Sequence, residues 1–403
     1  MPTADLRVFR CTSGYNSAGE HVLEDAVFDR QGPMPIRIPS LLEVNALATP
    51  LHRALTYRLK QHELNLVLSF LKARPTGGVA ARLDDLRAAA RHIRGFVIES
   101  VGMGMLTATM RDFYRWSGNH EHLEHFDALP LHIKGNYLRG GVRPDLLFLD
   151  PFAPKNRIAG EARGRSTKPL ASSMPSKAQQ QRLDEILDWS ARHSYHPVTM
   201  AWTCFGGPTL SVDLFHIEFP PPAQRRSTRP PDTPAPTGSR PRKERSTRRP
   251  GMPPSADEES GRIPRSRNGA DRVEQRPREE SSFSDQEDDR DEVRGLQANV
   301  TTSIERLWRT APPGDRTQVF NEGPVRGDWV SANLLGAART HLFLGVLGEE
   351  PPAAFQRRLR ERSADSDAIF DPIQVDVLGR LIIAVSLDSE APPLWQEVAA
   401  RLG

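Results

Sequence analysis

The chain has 403 residues, 37% hydrophobic and 26% charged, with 35 prolines, 2 cysteines and a net charge of +3. That length exceeds the size at which one core stops growing, and the polarity is too high for a single continuous fold, so two folded parts joined by connecting chain are expected. Cys11 and Cys204 are too few and too far apart for a disulfide framework or a cysteine zinc site, no apolar run is long enough to cross a bilayer, and Met1-Pro2-Thr3-Ala4-Asp5 has neither the basic nor the apolar part of a leader, which together predict a soluble cytoplasmic protein.

Taken in order, residues 6–40 alternate apolar and polar only in short pieces, which predicts short strands or loops. Leu55, Leu59, Leu66 and Phe70 carry helical spacing over 51–71, closed by Pro75-Thr76-Gly77-Gly78. A longer helix is predicted over 80–114, with Leu83, Leu86, Ala90, Ile93, Val97 and Val101 on one face and Glu99 on a partly apolar one. Then come His120, His122 and His125, whose spacing suits neither one helix face nor one strand face and reads as a solvated loop rather than a metal site. Strands around Asp145 and Glu161 follow, then a helix over 176–193 and strands over 197–205 and 209–219. Phe205-Gly206-Gly207-Pro208 reads as a hairpin turn, and Trp116, Trp189 and Trp202 as core or rim residues.

From about residue 221 to 296 the composition changes. Pro220-Pro221-Pro222, Arg240-Pro241-Arg242-Lys243 and Arg248-Arg249-Pro250 precede the acidic run Asp285-Gln286-Glu287-Asp288-Asp289. So polar a segment cannot bury enough surface to offset its ordering entropy, which predicts a disordered linker with a basic front half able to hold nucleic acid loosely. Residues 297–403 read as a small α/β module: a helix over 299–308, a mixed apolar run over 329–347, a hairpin over 373–387 and an amphipathic helix over 393–402. No catalytic signature stands there, and the expected role is interaction with a protein partner or regulation.

The chemistry concentrates in Arg143-Pro144-Asp145-Leu146-Leu147-Phe148-Leu149-Asp150 and Arg157-Ile158-Ala159-Gly160-Glu161-Ala162-Arg163-Gly164-Arg165. Each apolar run carries one carboxylate, and the period of two sends Glu161 and Arg163 to the same face. Pro144-Asp145 followed by Glu161-Ala162-Arg163 resembles the PD-(D/E)xK nuclease superfamily, with arginine where that family usually has lysine. The run Glu161-Ala162-Arg163-Gly164-Arg165 is similar to the E-A-K-G-R of some members, and the order helix, strand, strand, helix, strand, strand resembles the family core.

The resemblance implies a restriction-endonuclease-like mixed α/β sheet flanked by helices over residues 1–220. It implies a magnesium or manganese ion held by Asp145, Glu161 and the Ala162 carbonyl, with Arg163, Glu99 and Gln179 as further catalytic positions. The implied activity is metal-dependent hydrolysis of DNA, in microbial defence or DNA processing. Arg163 keeps the charge of the usual lysine but cannot give up its proton, so it would supply only electrostatic stabilisation. Two other readings stay open: a degenerate nuclease fold that binds DNA without cutting it, and a non-enzymatic scaffold recruiting partners through the linker and terminal module.

Overall fold

The computed structural model describes residues 2–47, 56–74, 77–114, 123–125, 142–149, 157–169, 172, 174–192, 196–217, 301–313, 324–332, 335, 339–352, 355 and 371–402. The stretch read as a disordered linker, together with Trp116, His120 and His122, lies outside them, and of His125 only the backbone is included.

Strands β1 (Thr3–Tyr15) and β2 (His21–Pro35) form a long antiparallel hairpin. Its turn is closed by Asn16, whose side-chain oxygen accepts from the N–H groups of Ala18 and Glu20, with Gly19 at a φ of 78° that favours glycine. The expectation of short strands or loops here is thus corrected. Register shifts between Val8 and Phe9 and between Thr12 and Ser13 throw the alternation out of phase, which makes one long strand look like several short pieces.

Helices α1 (Ile38–Leu47) and α2 (Tyr57–Ser69) follow, then the short pair β3 (Leu71–Ala73) and β4 (Val79–Ala81). The single helix expected over 80–114 is divided: α3 (Leu83–Ala88) stops at Ala89, which is extended, and α4 (Arg91–Tyr114) begins afresh. Next come β5 (Leu123–His125), β6 (Leu146–Leu149), β7 (Arg157–Arg165), α5 (Lys177–Arg192), β8 (Val198–Cys204) and β9 (Ser211–Ile217).

Together they build a seven-stranded mixed sheet in the order β2-β1-β9-β8-β7-β6-β5. Neighbours β7 and β8 are parallel and are joined by a crossover through α5, as parallel neighbours require. One face, with Phe9, Leu147, Ala159, Met200 and Phe215, packs against Leu183, Ile186, Leu187 and Trp189 of α5. The opposite face, with Leu6, Val8, Phe148, Ile158, Ala201 and Leu214, packs against α4 and α1. Both faces being covered, β8 and β9 are buried along their whole length. Cys11 and Cys204 are free and buried, as small core residues.

The C-terminal residues form a helix α6 (301–310) and an antiparallel sheet, β10 (Val325–Ser331), β11 (His341–Leu347), β12 (Ile373–Leu378) and β13 (Leu381–Ser386), in the order β10-β11-β13-β12, followed by helix α7 (Trp395–Leu402). On one face Leu342, Leu344, Ile383 and Val385 share a continuous core with α1, α2 and α4. On the other, Phe343, Val375 and Ile382 pack with Trp395 and Val398 of α7. Helix α1 lies between the two sheets and is buried from Ile38 to Ala46, its polar Ser40, Glu43 and Asn45 enclosed along with the apolar residues. Specific bonds join the two parts. The Tyr57 hydroxyl accepts from the Asp328 N–H at 2.8 Å and donates to the Leu344 carbonyl. Arg111 of α4 reaches Glu43 of α1 at 2.5 Å and Asp376 of β12 at 3.4 Å.

Helix α4 is drawn onto β7 by the absence of side chains at Gly102 and Gly164. A Cβ on Gly164 would lie 2.2 Å from Cγ2 and 2.6 Å from the carbonyl oxygen of Ile98. Gly164→Ala is therefore expected to lift α4 from the sheet and to cost on the order of 1–3 kcal/mol of stability, read as a lowered denaturant midpoint. A midpoint equal to that of the wild type would show that the approach of α4 is not tight.

Candidate catalytic carboxylate pair

Strand β6 begins at Leu146, opposite Gly160, so Asp145 falls opposite Glu161 where the ladder runs out. The Asp145 N–H still donates to the Gly160 carbonyl at 3.0 Å. One residue on, the side chain takes over from the backbone, and Oδ2 of Asp145 accepts from the Ala162 N–H at 2.8 Å. A strand residue projects its N–H and C=O to the same side, so the Ala162 carbonyl borders the same gap.

Glu161 and Arg163 project to the α5 face. Glu161 has no exposure to solvent; its Oε1 is approached by Nε of Arg163 at 2.6 Å and by Nε of Arg182 at 2.7 Å. The Arg182 contact is a hydrogen bond, whereas Nε of Arg163 is close without the alignment of one. The other oxygen, Oε2, is buried and has no hydrogen-bond partner among the described residues. A buried carboxylate oxygen without a partner is costly, and here it stands on the strand opposite a second acid.

The electrostatics follow from that crowding. Burial, and then the charge of Glu161, push the Asp145 carboxyl up to about 8; the Ala162 N–H and Arg163 oppose the rise and Glu99 adds to it. Glu99 is exposed on α4, and its charge has the smallest of these effects on Asp145. Burial also raises Glu161, against the pull of Arg163 and Arg182. On Arg182 burial works against the charge, and the Glu161 and Glu185 carboxylates outweigh it.

Asp145, Glu161 and Arg163 are therefore brought together, whereas Glu99 stands on α4, which packs on the opposite face of the sheet. Gln179 is held elsewhere. Its Oε1 accepts from the Ser176 N–H at 2.8 Å and its own N–H donates to Ser176 Oγ at 3.3 Å, a capping box at the start of α5. Its Nε2 donates to Asp213 at 3.2 Å, and Asp213 grips Arg7 with both oxygens at 2.7 Å. Asp213 stands opposite Trp202, which stands opposite Arg163, so Gln179 is anchored two strands, about 10 Å, from Arg163. Arg182 is the residue that sequence reasoning missed. It shares a helix side with the buried Gln179, Leu183 and Ile186, and an arginine set in a buried stripe needs an anion to meet it.

Comparison with models of known protein families, with characterised proteins and with solved structures finds no match. What this site does must be argued from its own chemistry.

The residues present fit a hard divalent cation. Among the described residues no three His, Cys, Asp or Glu side chains form a complete ligand set. Magnesium, however, is commonly held by one or two carboxylates, with water and phosphate oxygens completing its shell. Asp145, Glu161 with its orphaned Oε2 and the Ala162 carbonyl are oxygen donors on adjoining strands, and the mutual repulsion of the two acids is what a cation would relieve.

The raised carboxyl of Asp145 gives a pH test. A carboxyl with a higher pKa folded than unfolded favours the folded state most fully below its unfolded value, near 3.8, and that contribution is lost as pH rises toward 8. Glu43, pushed up to about 8 by burial and then by Asp376, acts in the same window, so the Asp145 share must be isolated by substitution. Asp145→Asn is expected to flatten the fall in stability between about pH 4 and 8 by on the order of a few kcal/mol. Parallel pH–stability curves for wild type and variant would show that the carboxyl is not buried beside Glu161.

Proposed function

We propose that this chain is a divalent-metal-dependent nuclease that hydrolyses DNA phosphodiester bonds at the Asp145–Glu161 pair. The observation that carries the reading is the pair itself: the buried Glu161 and the partly buried Asp145 opposite each other on adjoining strands, with one orphaned oxygen and a guanidinium on the same face. The order of elements from α4 to β9 supports the restriction-endonuclease-like reading, with the acids at neighbouring strands of a mixed sheet flanked by helices.

In this reading Asp145, Glu161 and the Ala162 carbonyl would hold the cation, which would supply an activated water and neutralisation of phosphoryl charge. Arg163, 39% exposed at its side chain, is the group of the site open to a phosphate. It contributes charge stabilisation, since its guanidinium keeps its proton. Glu99, exposed on α4, would act only through its charge, which reaches Asp145.

A second reading rests on a specific contact. Glu161 Oε1 is already met by two guanidinium groups, a local neutralisation that does not require a metal. A fold so compensated would bind DNA without cutting it. Incubating the protein with duplex and single-stranded DNA in Mg2+, Mn2+ or EDTA, alongside direct titration with Mn2+, separates the two. Metal-dependent cleavage supports the nuclease, and DNA binding with neither cleavage nor Mn2+ uptake supports the relic.

A further inference from the structure

We propose that Arg165, laid over Trp202, binds the phosphodiester next to the one at the acid pair, in the same nucleic-acid strand. The proposal rests on the nuclease reading and adds to it the residue that sets the path of the strand across the sheet.

Glu161, Arg163 and Arg165 occupy alternate positions of β7 and so form one row on the α5 face, about 6.6 Å apart. That step is of the order of the distance between successive phosphates along one strand. The row begins at the buried carboxylate, passes the half-exposed Arg163 and ends at Arg165 in solvent.

Arg163 is engaged with Glu161, but Arg165 and the nearby Lys168 have no acidic partner within ion-pair distance among the described residues. The Arg165 guanidinium instead stands 4.8 Å from the centre of the Trp202 ring, a cation–π arrangement that leaves its N–H edges available for phosphate oxygens.

The backbone beneath this row is held in place. The Arg165 carbonyl accepts from the Phe205 N–H at 2.9 Å, and the Thr167 carbonyl from the Gly206 N–H at 3.0 Å. Gly206 lies so near that a Cβ there would come within 2.6 Å of the Lys168 backbone nitrogen. The backbone that carries Arg165 is thus already ordered, which lowers the cost of ordering it on binding. The Trp202 indole is buried, so the ring serves as a support for Arg165 rather than as a base-stacking platform.

The test is the salt dependence of binding, with the full chain titrated against a labelled DNA duplex by fluorescence anisotropy, Ca2+ replacing Mg2+. Removing one phosphate-binding cation lowers the slope of log K against log salt by about 0.9. Arg165→Gln is expected to lower it by about that amount and to weaken binding several-fold at low salt. Arg165→Lys, which keeps the charge, should retain the wild-type slope. Arg339→Gln, whose guanidinium pairs with Glu390 beside the other sheet, should leave it unchanged. An Arg165→Gln protein with a lower melting temperature but the wild-type slope would reduce the residue to a packing role and overturn the proposal. Equal falls in Arg165→Gln and Arg339→Gln would overturn it too, by showing diffuse attraction. If wild type itself binds no duplex at any salt, the nuclease reading falls with it; if wild type binds and cuts while the slope ignores Arg165, only this inference falls.

Discussion

Asp145→Ala and Glu161→Ala should each abolish Mg2+- or Mn2+-dependent cleavage, by about a thousandfold or more, while the chain still folds. The size follows from the work asked of the cation: stabilising the phosphoryl charge is worth several kcal/mol, and each 1.36 kcal/mol is about tenfold in rate. The two variants differ in what they leave behind. Without Asp145 the Ala162 N–H loses its acceptor. Without Glu161 the guanidinium groups of Arg163 and Arg182 face each other with no shared anion, so this variant should be the less stable. Asp145→Asn is the cleaner companion, because its side-chain oxygen can still accept from Ala162 while the charge is gone. Cleavage undiminished in these variants would sink the assignment.

The Arg163 series carries the second large effect. Arg163→Lys should retain or raise cleavage, since it keeps the charge and restores the residue usual in the superfamily that this strand resembles. Arg163→Ala should lose about 10²–10³ in rate, the scale set by removal of one charge-stabilising donor, with DNA affinity little changed. If neither wild type nor Arg163→Lys cuts yet both bind DNA, the site is a relic. If Arg163→Ala keeps full activity and loses only about 0–1 kcal/mol of stability, the residue is an ion-pair partner of Glu161 and nothing more.

The parts of this molecule legible in the sequence are those whose logic is local. Strands over β6 to β9 and the hairpin of β12 and β13 show as apolar runs of strand length, and α5 as a helix with a clear stripe. Asp145, Glu161 and Arg163 stand close together because they are neighbours along or across adjoining strands. The features that escaped depend on distant chain. Helix α1 has no exposed face to mark its period, its polar Ser40, Glu43 and Asn45 being buried too, since its surroundings are supplied by α4 and by strands more than 300 residues on. The β1–β2 hairpin hides behind its two register shifts. Gln179 reads as a site residue from its position at a helix start, yet that position is the reason it is consumed as a cap. Arg182 needed the opposite inference, that a charge in a buried stripe implies an unseen partner.

The burial of α1 between the two sheets has a consequence for how the protein is made. Residues 38–47 are synthesised long before β11, β12 and β13, which cover one side of them. At about 5–20 residues per second, the interval is on the order of tens of seconds. For that time Leu41, Leu42 and Val44 cannot all be shielded by their final neighbours. A nascent chain with such a delay is a natural client for a holding chaperone, and any fragment ending before β11 carries that vulnerability permanently.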